Sequence, residues 1–208
     1  MSRHEIDIAS LPPGGAYRLL TASVVPRPIA WVSSRSATGV DNLAPHSFFT
    51  VVSADPPMVS FTSVGRKNTL DNVEATREFV VNVASEPMFE VINATSTDYP
   101  PDVSEFDAEG VEREASVTVA PPRVADSPVA LECVLHQVIP MGDCHLVIGE
   151  VKHVAVSESV ARVLEGGRIH PEIEALAPLS RLGRDQWGLL GEIRRIRRVP
   201  FSEKRTAR

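Results

Sequence analysis

The chain has 208 residues, 21 Lys+Arg against 27 Asp+Glu, a net charge of −6 and 43% hydrophobic residues. That suits one compact domain or at most two small ones, and the absence of any apolar run near ~18–20 residues argues against a membrane-spanning helix. Seventeen prolines, about 8% of the chain against a usual ~5%, put the excess in rigid corners and argue against long helices.

The first residues, MSRHEIDIAS, lack a basic-then-apolar signal pattern, so the expected compartment is the cytoplasm. Proline pairs stand at residues 12–13, 56–57, 100–101 and 121–122 and should mark the ends of elements, because proline cannot donate to a sheet ladder. Between them, residues 29–34, 46–53, 58–63, 78–84, 116–120, 129–139 and 144–156 read as strands. Val59 and Phe61 alternate with Ser60 and Thr62, the period-2 signature of a strand with one apolar and one polar face. Phe79-Val80-Val81-Asn82-Val83 is apolar on both faces, which predicts a central strand. The two longest runs, separated by Pro140-Met141-Gly142-Asp143, read as a long hairpin.

Helical spacing is confined to residues 67–77, with Asn68 or Thr69 as N-cap, to 86–94 and to 158–164. Consecutive strands with few helices predict a mainly β barrel or sandwich with attached helices, not a doubly wound α/β sheet. Residues 192–208 carry seven basic and two acidic residues, leaving −11 on the rest. This basic C-terminal tail lacks the interleaved aromatics of a nucleic-acid module and is expected to be solvated or packed on a subunit; residues 1–191 are expected to form a single domain.

Cys133 and Cys144 are too few for a disulfide framework and are expected as free thiols. With His136, His145 and His153 they invite a metal reading, but strand alternation would turn Cys133 from His136, and Cys144 from His145, so no metal is expected. No GxGxxG or GxxxxGK[ST] is present. The segment Thr62-Ser63-Val64-Gly65-Arg66-Lys67-Asn68-Thr69 leads from a strand into a helix. It combines two cations, hydroxyl and amide donors and a helix N-terminus, the ingredients of a phosphate site; an ordinary polar loop with a helix cap has the same spacing.

Five blocks in order carry a resemblance: Pro26-Arg27-Pro28-Ile29-Ala30-Trp31-Val32-Ser33-Ser34 with Gly39; Asn42-Leu43-Ala44-Pro45-His46-Ser47-Phe48-Phe49; Asp55-Pro56-Pro57-Met58-Val59-Ser60-Phe61; Lys67-Asn68-Thr69-Leu70-Asp71-Asn72; and Glu78-Phe79-Val80-Val81-Asn82. Together they resemble the flavin reductase-like, FMN-binding split-barrel family, near its flavoredoxin branch, over about residues 15–187.

The resemblance implies a split β-barrel homodimer with FMN at or near the subunit interface. Carried over by position, Ser33 and Ser34 would line the flavin or its ribityl chain. Asn42, Ala44, Pro45, His46 and Ser47 would meet the isoalloxazine edge, and Thr62, Arg66, Lys67, Asn68 and Thr69 would hold the phosphate. His46 and Asn68 depart from the usual pattern of relatives, without removing a phosphate donor. Arg27 and His46 are the candidates for tuning the flavin electrostatically. The implied activity is an oxidoreductase of the flavin reductase type, with NADH or NADPH as donor and a monooxygenase or electron-transfer protein as partner. The alternative is an FMN-containing electron carrier reduced by a protein partner.

Overall fold

The computed structural model describes residues 2–201. Helix α1 (Gly15–Ser23) precedes a sheet of seven strands. These are β1 (Ala30–Arg35), β2 (Asp41–His46), β3 (Phe49–Ala54), β4 (Pro57–Val64), β5 (Glu78–Val83), β6 (Val129–Met141) and β7 (Cys144–Val156). They lie in the order β2-β1-β5-β6-β7-β4-β3, and every neighbouring pair is antiparallel.

The sheet curls on itself. His46 at the end of β2 packs its ring 4.7 Å from that of Phe61 on β4, and Thr62 N–H donates to Phe48 O at 2.9 Å. The result is a mainly β split barrel. Its interior holds Ala30, Val32, Phe61, Phe79, Val81, Leu135 and Val147, plugged by Leu70 and Val73 of α2 (Asn68–Thr76). Strand alternation sends the intervening Trp31 to the other face, where it joins Leu43, Ile92, Phe106 and Leu179 in a second core under α3 (Phe89–Ala94) and α4 (Glu105–Ala108). Phe79 to Val81 are buried on a strand flanked by β1 and β6, as expected of a central strand.

Four local expectations are corrected. The strand expected over 46–53 is two strands, Asp41–His46 and Phe49–Ala54. Pro45 is tolerated because β2 lies at the end of the sheet order, where a missing donor leaves no ladder bond unmade. Residues 116–120 are irregular because their donors go elsewhere. The N–H groups of Val117 and Thr118 and the Thr118 hydroxyl all donate to the carboxylate of Glu132, which also accepts from Arg123. Residues 158–164 form a turn and the strand Ala161–Val163, paired with Ile169–Pro171, in place of a helix. The turn between β6 and β7 is the two residues Gly142-Asp143, since Met141 already pairs with Cys144.

Of the basic tail, residues 192–201 are exposed and all but the last lack regular structure; Glu203, Lys204, Arg205 and Arg208 lie outside the described residues.

Candidate functional site

A groove of about 430 Å³ opens where β4 leaves the sheet for α2. The end of β2 and the residues after it, Asn42, Ala44, Pro45, His46, Ser47 and Phe48, make one wall. Thr62 and Val64 of β4, the turn residues Arg66 and Lys67, and Asn68 and Thr69 of α2 make the second. The turn of residues 95–99 closes a third side, with Tyr17 of α1 and Glu105 of α4 contributing from the flanks.

The β4–α2 turn is built around Gly65. Its φ of 73° lies in the left-handed region, open to glycine without strain, and its N–H donates to Asp143 O at the hairpin tip at 2.9 Å. The chain thereby swings from strand to helix within three residues. Lys67, not Asn68 or Thr69, is the N-cap of α2, in extended backbone and with no side chain capping the helix. The first helical N–H with an acceptor inside the chain is that of Asp71, bonded to Lys67 O. The donors ahead of it are left for a ligand or water.

The cations beside this helix end have carboxylate partners. Arg66 pairs with Asp71 at 2.7 Å and with Glu74, and Lys67 pairs with Asp98. Asn68 Nδ2 donates to Tyr99 O at 3.0 Å. Thr69 is buried and works from behind the groove. The Asn42 amide satisfies its surroundings when its oxygen accepts from Thr69 Oγ1 at 2.9 Å and its nitrogen donates to Glu105 Oε1 at 3.3 Å. The other oxygen of Glu105 accepts from Leu43 N–H at 2.9 Å. Burial pushes the Glu105 carboxyl above its usual range, against the pull of that N–H.

His46 is 8% exposed, and its Nε2 is buried without a hydrogen-bond partner. Burial, opposed by a hydrogen bond with the Thr62 backbone and reinforced by the charge of Lys67, lowers its pKa to about 4. The ring is neutral near pH 7, so His46 offers a nitrogen and not a positive charge. Arg27, unlike His46, does not reach the groove. It donates to Thr21 O, to Val24 O at 2.9 Å and to Leu182 O at 2.8 Å, tying the end of α1 to the chain's C-terminal part. Of the two residues expected to act electrostatically, His46 lines the groove and Arg27 does not.

Ser33 and Ser34 also lie away from the groove. Both are fully buried in β1, where Ser33 Oγ donates to Pro122 O and Ser34 Oγ accepts from Asn72 Nδ2 at 3.2 Å. The other ten expected positions converge on one groove. Sequence reading did not assign Tyr17, Phe48, Val64, Glu105 or the turn of residues 95–99 to it. Among the described residues no three His, Cys, Asp or Glu side chains are grouped to hold a metal.

Comparison with known proteins places this architecture. A family model for the flavin reductase like domain matches residues 22–170. An uncharacterized protein from Halalkalibacterium halodurans is 38% identical over 201 residues, covering 91% of this chain and 93% of that one. Nitrilotriacetate monooxygenase component B from Bacillus cereus superposes with a TM-score of 0.86 at 35% identity, over 94% of this chain and 100% of that chain. Pseudomonas fluorescens 2-nitrobenzoate 2-nitroreductase also reaches 0.86, at 30% identity, over 95% and 98% of the two chains. Fold and sequence agree, and the chain belongs to the flavin reductase-like family of split-barrel proteins.

Proposed function

We propose that this protein is an FMN-dependent oxidoreductase that takes electrons from NADH or NADPH and delivers them to a separate acceptor. The observation that carries the reading is the uncapped N-terminus of α2, set beside Arg66 and Lys67 at one end of a groove of ligand size. Flavin fits the residues present. Arg66, Lys67, Asn68 and the free N–H groups of the first helical turn would hold the phosphate, and the segment from Ala44 to Ser47 would meet the ring edge. The buried, unpartnered Nε2 of His46 is an acceptor awaiting a donor at that same wall.

Bound flavin supplies hydride acceptance and the release of one or two electrons. The chain supplies placement. Tyr17 and Phe48 give the groove an aromatic flank, while Asn42, held by Glu105, fixes Thr69 behind the phosphate end. The relatives named as a monooxygenase component and a nitroreductase support an acceptor outside this chain. We place the protein in the cytoplasm as a homodimer; Val51 and Val52, 71% and 47% exposed on β3 at the end of the sheet, are apolar surface that a second copy would cover.

Anaerobic titration tests the reading. Purified protein should bind FMN at micromolar concentration, more tightly than FAD, and NADH or NADPH alone should bleach the visible flavin band. Bleaching only after adding a reductase would make the protein an electron carrier. Failure to bind either flavin would overturn the proposal.

A further inference from the structure

A smaller cleft of about 200 Å³ lies against the groove and shares Pro45, Ser47 and Ser96 with it. Asn93, Arg181 and Trp187 close its other side. Arg181 and Trp187 stand beyond residue 170, where the family match ends.

Three short antiparallel strands fix that far wall. Arg27–Pro28 pairs with Ser180–Arg181, which pairs in turn with Trp187–Gly188. The register sets Arg181 between Arg27 and Trp187. Its guanidinium lies 4.7 Å from the centre of the Trp187 ring, and that ring is braced edge-on by Phe89 at 5.0 Å. A stacked guanidinium and indole make a flat, positively charged surface, suited to a planar anion.

The charge on this wall is unbalanced. Arg27 and Arg181 sit opposite each other across a strand pair, an arrangement that costs stability. Among the described residues neither has a carboxylate within ion-pair distance. Arg27 is bonded to three carbonyls and Arg181 to the carbonyl of Arg184 at 3.0 Å. In a chain of net charge −6, where Arg66, Arg113 and Arg123 all have acidic partners, Arg181 on the cleft wall and Arg27 on the strand beside it form a local positive field.

We propose that this cleft is the docking subsite for the second substrate, an organic anion carrying a flat ring, whose carboxylate or phosphate charge meets Arg181 and whose ring lies beside Trp187. Ser47, Asn93 and Ser96 line the opposite side with hydroxyl and amide groups that orient it toward the groove. The inference rests on reading the groove as the flavin site. A nicotinamide dinucleotide offers an anionic phosphate group and a flat ring as separate parts, and an aromatic carboxylate offers both in one plane.

Calorimetric titration of the FMN-loaded protein with NAD⁺, NADP⁺ and benzoate, none of which reduces flavin, separates these sources. At least one should bind in the submillimolar range. Arg181→Met should weaken that ligand about tenfold or more, as expected for a lost charge-assisted hydrogen bond, and Arg181→Lys should lose less. Trp187→Leu should weaken it as well. Added salt should weaken binding to the parent protein and leave the Arg181→Met variant little changed. The FMN dissociation constant of each variant should stay within about twofold of the parent. Dinucleotide binding assigns the cleft to the electron donor, and benzoate binding assigns it to the acceptor. Binding of none of the three, or undiminished binding by Arg181→Met, would overturn the proposal. Failure of the parent protein to bind FMN would refute the groove reading instead, and that is measured separately.

Discussion

Two buried ionisable side chains both make the fold sensitive to acid, one ionised and one neutral near pH 7. Glu132 is 0% exposed and accepts hydrogen bonds from Val117, Thr118 and Arg123. Burial alone would raise its pKa, but the Thr118 and Val117 donors and Arg123 outweigh it and bring the value to about 2. A carboxylate depressed below its unfolded value of ~4.3 contributes stability that is complete above that value and is lost as pH falls toward 2. Glu132→Ala would leave Arg123, itself 6% exposed, with only the long 3.3 Å pair to Glu114 to balance its charge. The expected loss is about 3–5 kcal/mol in chemical denaturation at pH 7, and the steep acid limb between pH 4 and 2 should flatten with it. His46 acts in the same direction over a higher pH window. Its pKa of about 4 in the folded chain means that the unfolded chain binds more protons between pH ~6.5 and 4, so stability falls as pH is lowered through that window. NMR of the flavin-free protein should show the His46 ring neutral throughout pH 6–8. None of this is legible in the sequence, where Glu132 reads as one polar residue in a strand and His46 as a cation near a ligand. Burial, which follows only from the curl of the sheet, decides both.

Elements with internal periodicity were readable, and elements defined by their partners were not. Alternation of Val59 and Phe61 identifies β4, and the doubly apolar Phe79 to Val81 identifies β5 as central. Strand β2 escapes because Asp41, Asn42 and Pro45 have low strand propensity and are held by pairing with β1. The groove was legible where it is local: Thr62 to Thr69 is one continuous strand–turn–helix. Glu105 and the turn of residues 95–99 arrive from distant sequence and left no comparable signal. Helix α2 is also where phosphate recognition can be isolated. Thr69 is a buried support, so the informative variant is Arg66→Ala with Lys67→Ala, which touches exposed side chains only. FMN affinity should fall about tenfold or more by equilibrium binding while riboflavin affinity changes less than about twofold. Equal losses for the two ligands would place the phosphate elsewhere. In the barrel, a Cβ on Gly149 of β7 would collide with the buried Phe79 ring, which stands edge-on to Phe61 at 5.4 Å and has little room to move. Gly149→Ala should cost about 1–3 kcal/mol in the same denaturation assay.

At the scale of the whole molecule, charge is divided between an acidic body and a basic tail, −11 and +5. The described part of that tail is exposed at every residue from 192 to 201. Ending the chain at residue 191 should leave the thermal midpoint within about 2 °C and FMN binding intact, while the isoelectric point drops. A larger loss in scanning calorimetry would show that the tail packs on the fold. The pairing of β4 with β7 has a temporal meaning as well. Val64 is registered against Cys144, about 80 residues downstream. At the ~5–20 residues per second of synthesis, the hairpin β3–β4 emerges with one flank bare for roughly 4–16 s before its neighbour exists. The turn that frames the groove has to wait as well, since Gly65 finds its acceptor only on Asp143. A nascent chain stalled before the second long strand should therefore be sensitive to proteases and attractive to chaperones, and ligand capture belongs to the last stage of its biogenesis.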